Sequence, residues 1–125
     1  MTRVRALLGA VLLAGCSLVS TQQPVENVRE LAGAWQGRLA LQLANASATM
    51  TIKESGAYEG ALHLDGGIDR PFSGAIVVTR PGRLRYQGTH GNGIVTLVKR
   101  GDALTLRFVP DGGGGGGSFT RARLP

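Results

Sequence analysis

Trp35-Gln36-Gly37-Arg38-Leu39-Ala40-Leu41-Gln42-Leu43 decides how the rest of the chain is read. Trp35, Gly37, Leu39, Leu41 and Leu43 alternate with Gln36, Arg38, Ala40 and Gln42. Successive side chains of a strand point to opposite faces, so a period of two gives one apolar face and one wet face. A helix would need its apolar residues three and four apart, and would scatter these round its circumference. The stretch therefore reads as a half-buried strand.

The same period recurs downstream. Ala48–Glu54 sets Met50 and Ile52 on one face; Tyr58, Gly60, Leu62 and Leu64 follow, then Phe72, Gly74, Ile76 and Val78, then Leu84, Tyr86 and Gly88. Ile94–Lys99 is apolar on both faces, Leu104, Leu106 and Phe108 alternate again, and Ser118–Leu124 closes the chain. The breaks carry turn residues: Glu54-Ser55-Gly56, Asp65-Gly66-Gly67, Arg80-Pro81-Gly82, His90-Gly91-Asn92-Gly93 and Arg100-Gly101-Asp102. Gly112–Gly117 reads as a loop. With 20 glycines spread along 125 residues, long helices are disfavoured throughout. The expectation is an all-β fold: a small antiparallel up-and-down barrel of about eight short strands. Closure is preferred to a two-layer sandwich because it removes exposed edges. Leu39, Leu41, Met50, Ile52, Leu62, Ile76, Leu106 and Phe108 then face inward, either to pack together or to line a cavity. Packing is the preferred reading for so narrow a barrel.

Working outward to the N-terminus, Pro24-Val25-Glu26-Asn27-Val28-Arg29-Glu30-Leu31-Ala32-Gly33 predicts one or two helical turns, with proline at the start and glycine at the stop. Ser17–Gln23 is polar and reads as a tether. Before it, Met1–Arg5 carries Arg3 and Arg5 and no acid, and Ala6–Ala14 is a short apolar core ending at Gly15-Cys16. A positive start and a brief apolar segment make an export signal, too short to remain as a membrane span. Removal of residues 1–15 leaves 110, enough for a single domain. The expected divisions are a signal peptide over 1–15, a tether and short helix over 16–33, and a barrel domain over 34–125.

Leu13-Ala14-Gly15-Cys16 closely resembles the lipobox of bacterial lipoproteins. The resemblance implies diacylglyceryl attachment to the Cys16 thiol and cleavage between Gly15 and Cys16. It also implies a location in the bacterial cell envelope, anchored to membrane through that lipid. Ser17 stands where an aspartate tends to retain such proteins at the inner membrane, which by analogy implies the outer membrane, facing the periplasm. Cys16 is the sole cysteine, so no internal disulfide is possible.

Leu31-Ala32-Gly33-Ala34-Trp35 resembles the opening of calycin or lipocalin-like barrels. There a short helical turn, a glycine and a tryptophan lead into the first strand, and an arginine from the last strand lies across the indole. The resemblance implies that Arg121 or Arg123 acts as this latch over Trp35. Small periplasmic barrel inhibitors of secreted metalloproteases open with a similar segment, but carry a disulfide that this chain cannot make.

The formal charge of +6 falls to +4 without Arg3 and Arg5. A surplus of this size draws a domain weakly to anionic surfaces. Arg83, Arg85, Lys99 and Arg107 come from three consecutive strands and are candidates for such contacts, with the register near Arg100 deciding whether Lys99 joins them. Nucleic acid is not an expected partner of an exported chain. Catalytic machinery is not visible: no serine sits in a nucleophile elbow, and the glycine run lacks the lysine and helix of a phosphate loop. His63, Asp65 and His90 are too scattered for a zinc site. No cofactor and no metal are expected. The functional expectation is a non-enzymatic binding or interaction module, either an inhibitor-like barrel or an assembly partner of an envelope protein. A carrier or sensor of a small apolar ligand held inside the barrel is the alternative.

Overall fold

The computed structural model describes residues 20–41, 44–80 and 82–121. Among the described residues nine strands follow one another: β1 (Thr21–Gln23), β2 (Gly33–Leu41), β3 (Ala44–Ile52), β4 (Ala57–Leu64), β5 (Ile68–Arg80), β6 (Arg83–Gly88), β7 (Gly91–Arg100), β8 (Ala103–Pro110) and β9 (Gly116–Arg121). From β2 to β9 each strand pairs antiparallel with the next, and β9 returns to pair with β2. The sheet closes into an eight-stranded barrel, all-β as the alternation predicts. Closure gives the backbone groups of β2 and β9 partners on both sides and leaves no barrel edge for stray pairing. Among the described residues no helix is long and apolar enough to cross a membrane.

Two expectations about the N-terminal segment need correction. The one or two helical turns are a single 3-10 turn, Val28–Leu31, and Gly33 begins β2 instead of stopping a helix. The cause is local. Asn27 accepts a hydrogen bond from the Arg29 amide at 2.9 Å, while the Glu30 carboxylate reaches back to the amides of Glu26 and Asn27 at 3.2 and 3.3 Å. This capping box starts the turn at Asn27, and Ala32 is already extended. In addition, Thr21–Gln23, read as part of the tether, form β1. That strand takes over beside β7 where β6 runs out, with Thr21 opposite Lys99 and Gln23 opposite Leu97.

The glycine run is divided: residues to Gly115 form the loop, whereas Gly116 and Gly117 belong to β9. Strands β3 and β5 are longer than the alternation indicates. Gln42 and Leu43 lie outside the described residues.

Inward-facing residues build one core. Leu31, Trp35, Ile52, Leu62, Ile76, Leu106 and Phe119 are each 1% exposed or less, and Val25 and Leu31 carry the core across one end of the barrel. Each fully buried side chain of this size is worth about 1.5–3 kcal/mol of transfer free energy. Antiparallel succession fixes what lies at each end. The turns after β3, β5 and β7 share the end covered by β1 and the 3-10 turn. The turns after β2, β4, β6 and β8 share the other end, which is open.

Candidate functional site

The open end, or mouth, is where the barrel has spare volume. Gly60, Gly74, Gly88 and Gly93 lie on the inward-facing parity of their strands, and aromatic rings occupy the space that side chains there would need. A Cβ on Gly60 would come within 2.6 Å of Phe72, one on Gly93 within 2.8 Å of the Tyr86 ring, and one on Gly74 would strike the Tyr58 phenol. Rings from five strands therefore meet. Tyr86 and Phe108 lie 5.1 Å apart between centroids, Phe108 and Phe119 5.6 Å, and Tyr58 and Phe108 6.0 Å, all edge to face. Such pairs add about 0.5–1.5 kcal/mol beyond area burial.

Between this aromatic floor and the loop Asp111–Gly115 remains a cavity of about 280 Å³, open on one side. Its lining is mainly apolar: Leu39, Met50, Tyr58, Phe72, Tyr86, Phe108 and Phe119, with Ser73, Thr89 and His90 at the rim. Gly112 to Gly116 all have φ between 72° and 115°, a backbone region that side chains disfavour. The glycine run thus lets the chain cross the mouth without placing a side chain in it. Burial pushes the Tyr58 hydroxyl up to about 12, helped by the neighbouring Tyr86 phenol. Tyr86 is raised by burial and by Asp111, with Arg85 opposing. Both phenols are thus neutral, weakly polar groups in an apolar pocket.

Of the inward-facing residues named from sequence, Ile52, Leu62, Ile76 and Leu106 pack in the core, while Leu39, Met50 and Phe108 face the cavity. The barrel is packed through most of its length and hollow near the mouth. Sequence reasoning did not locate this cavity.

At the closed end, Trp35 is 1% exposed, and its indole Nε1 donates to the Leu31 carbonyl at 2.8 Å. Arg121 is its cross-strand partner in β9. The guanidinium carbon lies 4.7 Å from the indole centroid, and Nη2 donates to the Glu30 carbonyl at 2.7 Å. One arginine thus touches the ring of the first barrel strand and the carbonyl end of the 3-10 turn. Arg123 and Cys16 lie outside the described residues.

The four candidate surface cations do not form one group. Arg83, Arg85 and Arg107 face outward, whereas Lys99 has the parity of buried Val95 and Leu97 and stands at the closed rim. Arg85 is ion-paired with Asp111 on the loop beside the mouth. It also sits within a row on the outer wall, Val77–Arg85–Ile94–Val109, whose three aliphatic members are about half exposed.

His63 and His90 are far apart in role. His90 lines the rim; His63 Nδ1 lies 2.9 Å from Asp69 Oδ1, and Nε2 lies 3.2 Å from Thr49 Oγ1. Hydroxyl, imidazole and carboxylate are connected in the order of an acyl-transfer relay. They stand on the outer wall, however, with His63 41% and Asp69 63% exposed, where water competes for each contact. Asp65 lies in the neighbouring turn. Among the described residues no three His, Cys, Asp or Glu gather as metal ligands.

No family model, no curated protein and no solved structure matches this chain.

Proposed function

We propose that this chain is a lipid-anchored, non-enzymatic binding module of the bacterial envelope. Lipid on Cys16 holds it at the outer membrane, facing the periplasm, and the barrel mouth takes an apolar group presented by an envelope protein. One observation carries the reading of the mouth: a half-open aromatic cavity of about 280 Å³ at the end of the barrel away from β1. Ring-lined pockets with few polar groups favour apolar occupants through desolvation, without chemistry. The closed eight-stranded barrel, the 3-10 turn before Trp35 and Arg121 over the indole support the calycin-like resemblance.

The same cavity favours a second reading, a carrier or sensor of a small apolar ligand. Its volume lies near the lower bound of small-molecule sites, roughly 300 Å³, which suits a single inserted side chain or ring better than a long acyl chain. A photo-crosslinking residue in place of Thr89 separates the two in cells. The binding-module reading expects a discrete protein adduct that is lost when the cavity is filled from its own lining by Leu39→Trp. Stoichiometric, competable uptake of a fluorescent fatty acid by the purified protein, with no protein adduct, would replace it with the carrier. The anchor is tested separately: Cys16→Ser should abolish palmitate labelling, and undiminished labelling would sink the lipoprotein claim.

A further inference from the structure

The strand order makes the two ends of the barrel electrically different. Around the closed end stand Arg29, Lys53, Arg80, Arg83, Lys99, Arg100 and Arg121, against Glu26, Glu30, Glu54 and Asp102. Around the mouth, Asp65, Asp69 and Asp111 stand against Arg38, Arg70 and Arg85, Arg38 being held by Asn45 beside the turn after β2.

The closed end is itself uneven. In the turn after β3, Lys53 and Glu54 cancel. The turn after β5 holds Arg80 directly opposite Arg83, and the turn after β7 holds Lys99 and Arg100 against Asp102 alone. All four of these cations are exposed, and among the described residues none is ion-paired. Like charges facing each other across a hairpin repel, so Arg80 and Arg83 gain where an outside anion lies between them.

The N-terminal strand runs between these two basic turns. On one side Thr21 pairs with Lys99. On the other the Gly82 amide donates to the Val25 carbonyl at 3.2 Å. The chain therefore reaches the barrel in the middle of its most basic sector. Four residues lie between Cys16 and Thr21, and the five steps reach at most about 18 Å. A lipid on Cys16 would hold Thr21, and the sector around it, within that distance of the headgroups.

We infer that the basic sector formed by Arg80, Arg83, Lys99 and Arg100 docks on anionic phospholipid headgroups and sets the barrel upright, mouth outward. The inference rests on the anchoring proposed above for which side meets lipid; the charge distribution stands without it. Headgroup phosphates would bridge the two turns beside β1, while the mouth, where acidic and basic side chains balance, offers no such surplus. Attraction of this kind acts within a Debye length, about 8 Å at physiological salt.

The test uses protein purified from membranes and reconstituted into vesicles of phosphatidylcholine, alone or mixed with phosphatidylglycerol. A fluorophore is attached at Thr79→Cys, beside the basic sector, or at Ile68→Cys, near the mouth, and quenched by headgroup spin-labelled lipid. Quenching at position 79 should rise sharply with phosphatidylglycerol and fall with salt, while position 68 stays unquenched. Each cation near an anionic surface shifts the docked fraction roughly five-fold, so Gln at Arg80, Arg83, Lys99 and Arg100 together should abolish the dependence on phosphatidylglycerol. Equal quenching in both vesicles, stronger quenching at position 68, or quenching that survives the quadruple variant would overturn the inference. The parent chain controls for the anchor, because a lipidated Cys16 takes up no thiol label. If it is labelled, the anchoring reading falls, and the same comparison on a Cys16→Ser background decides the charge contact alone.

Discussion

Replacing Arg121 should loosen the closed end through two separable contacts. The first is stacking over Trp35 at 4.7 Å, worth about 0.5–1 kcal/mol because the arginine is exposed. The second is the bond from Nη2 to the Glu30 carbonyl, which a charged donor makes worth about 1–2 kcal/mol at a wet site. Arg121→Ala should therefore cost about 1.5–3 kcal/mol. Trp35→Ala should cost more, about 3–5 kcal/mol for the lost ring, with a further penalty for stranding the Leu31 carbonyl. The informative experiment is a double-mutant cycle of Trp35→Leu with Arg121→Gln, since leucine cannot stack and the loss of the bond to the Glu30 carbonyl cancels between the two legs of the cycle. Only the stacking is shared, so the coupling should be about 0.5–1 kcal/mol. Trp35 is the sole tryptophan, so urea unfolding must be followed by circular dichroism and not by indole fluorescence. Strict additivity would show that Arg121 acts only through the 3-10 turn. A neutral Arg121→Ala would refute the latch altogether.

Two further outcomes concern the mouth. Gly74→Ala should cost about 1–3 kcal/mol by overpacking, because its Cβ meets both the Gln87 carbonyl and the Tyr58 phenol; urea midpoints check this, and an unchanged midpoint would mean that the ring yields freely. The fold raises the Tyr58 pKa above its unfolded value of about 10, so the stability from its neutral form is complete below pH 10. It is lost as pH climbs through about 12. Phenolate absorbance should show this late titration, Tyr58→Phe should reduce the alkaline loss of stability, and a midpoint near 10 would contradict the burial argument.

The strands that sequence revealed are those whose inward positions are large. Period two marks Leu104, Leu106 and Phe108 or Phe72, Gly74 and Ile76 because the contrast between faces is strong. It underreads β3, where Ala46 and Ala48 are buried but too small to stand out beside Met50 and Ile52. It misses β1 because Thr21-Gln22-Gln23 offers no contrast at all; that strand is held by backbone pairing with β7. The choice of latch arginine was also out of reach. Arg121 and Arg123 are two apart, and positions two apart on any strand have the same parity, so alternation cannot rank them; it is the register that places Arg121 opposite Trp35.

Height along the barrel is the quantity a linear pattern does not carry, and both candidate surfaces depend on it. Tyr58, Phe72, Tyr86, Phe108 and Phe119 lie at unrelated intervals in sequence. They meet because the shear of a closed barrel brings different strand positions to the same level. The glycines beneath them read from sequence as gaps in an alternating pattern, when they are the space the rings fill. The basic sector arises in the same way, since the turns after β5 and β7 become neighbours across β1 only once that strand is in register. The closed end is held by the capping box, the indole bond to Leu31 and the Arg121 contacts, whereas glycine backbone spans the mouth. A ligand entering the cavity would therefore move the loop before it disturbed the closed end. Binding at the mouth and docking at the opposite end would then be energetically independent, each removable by substitution without loss of the other.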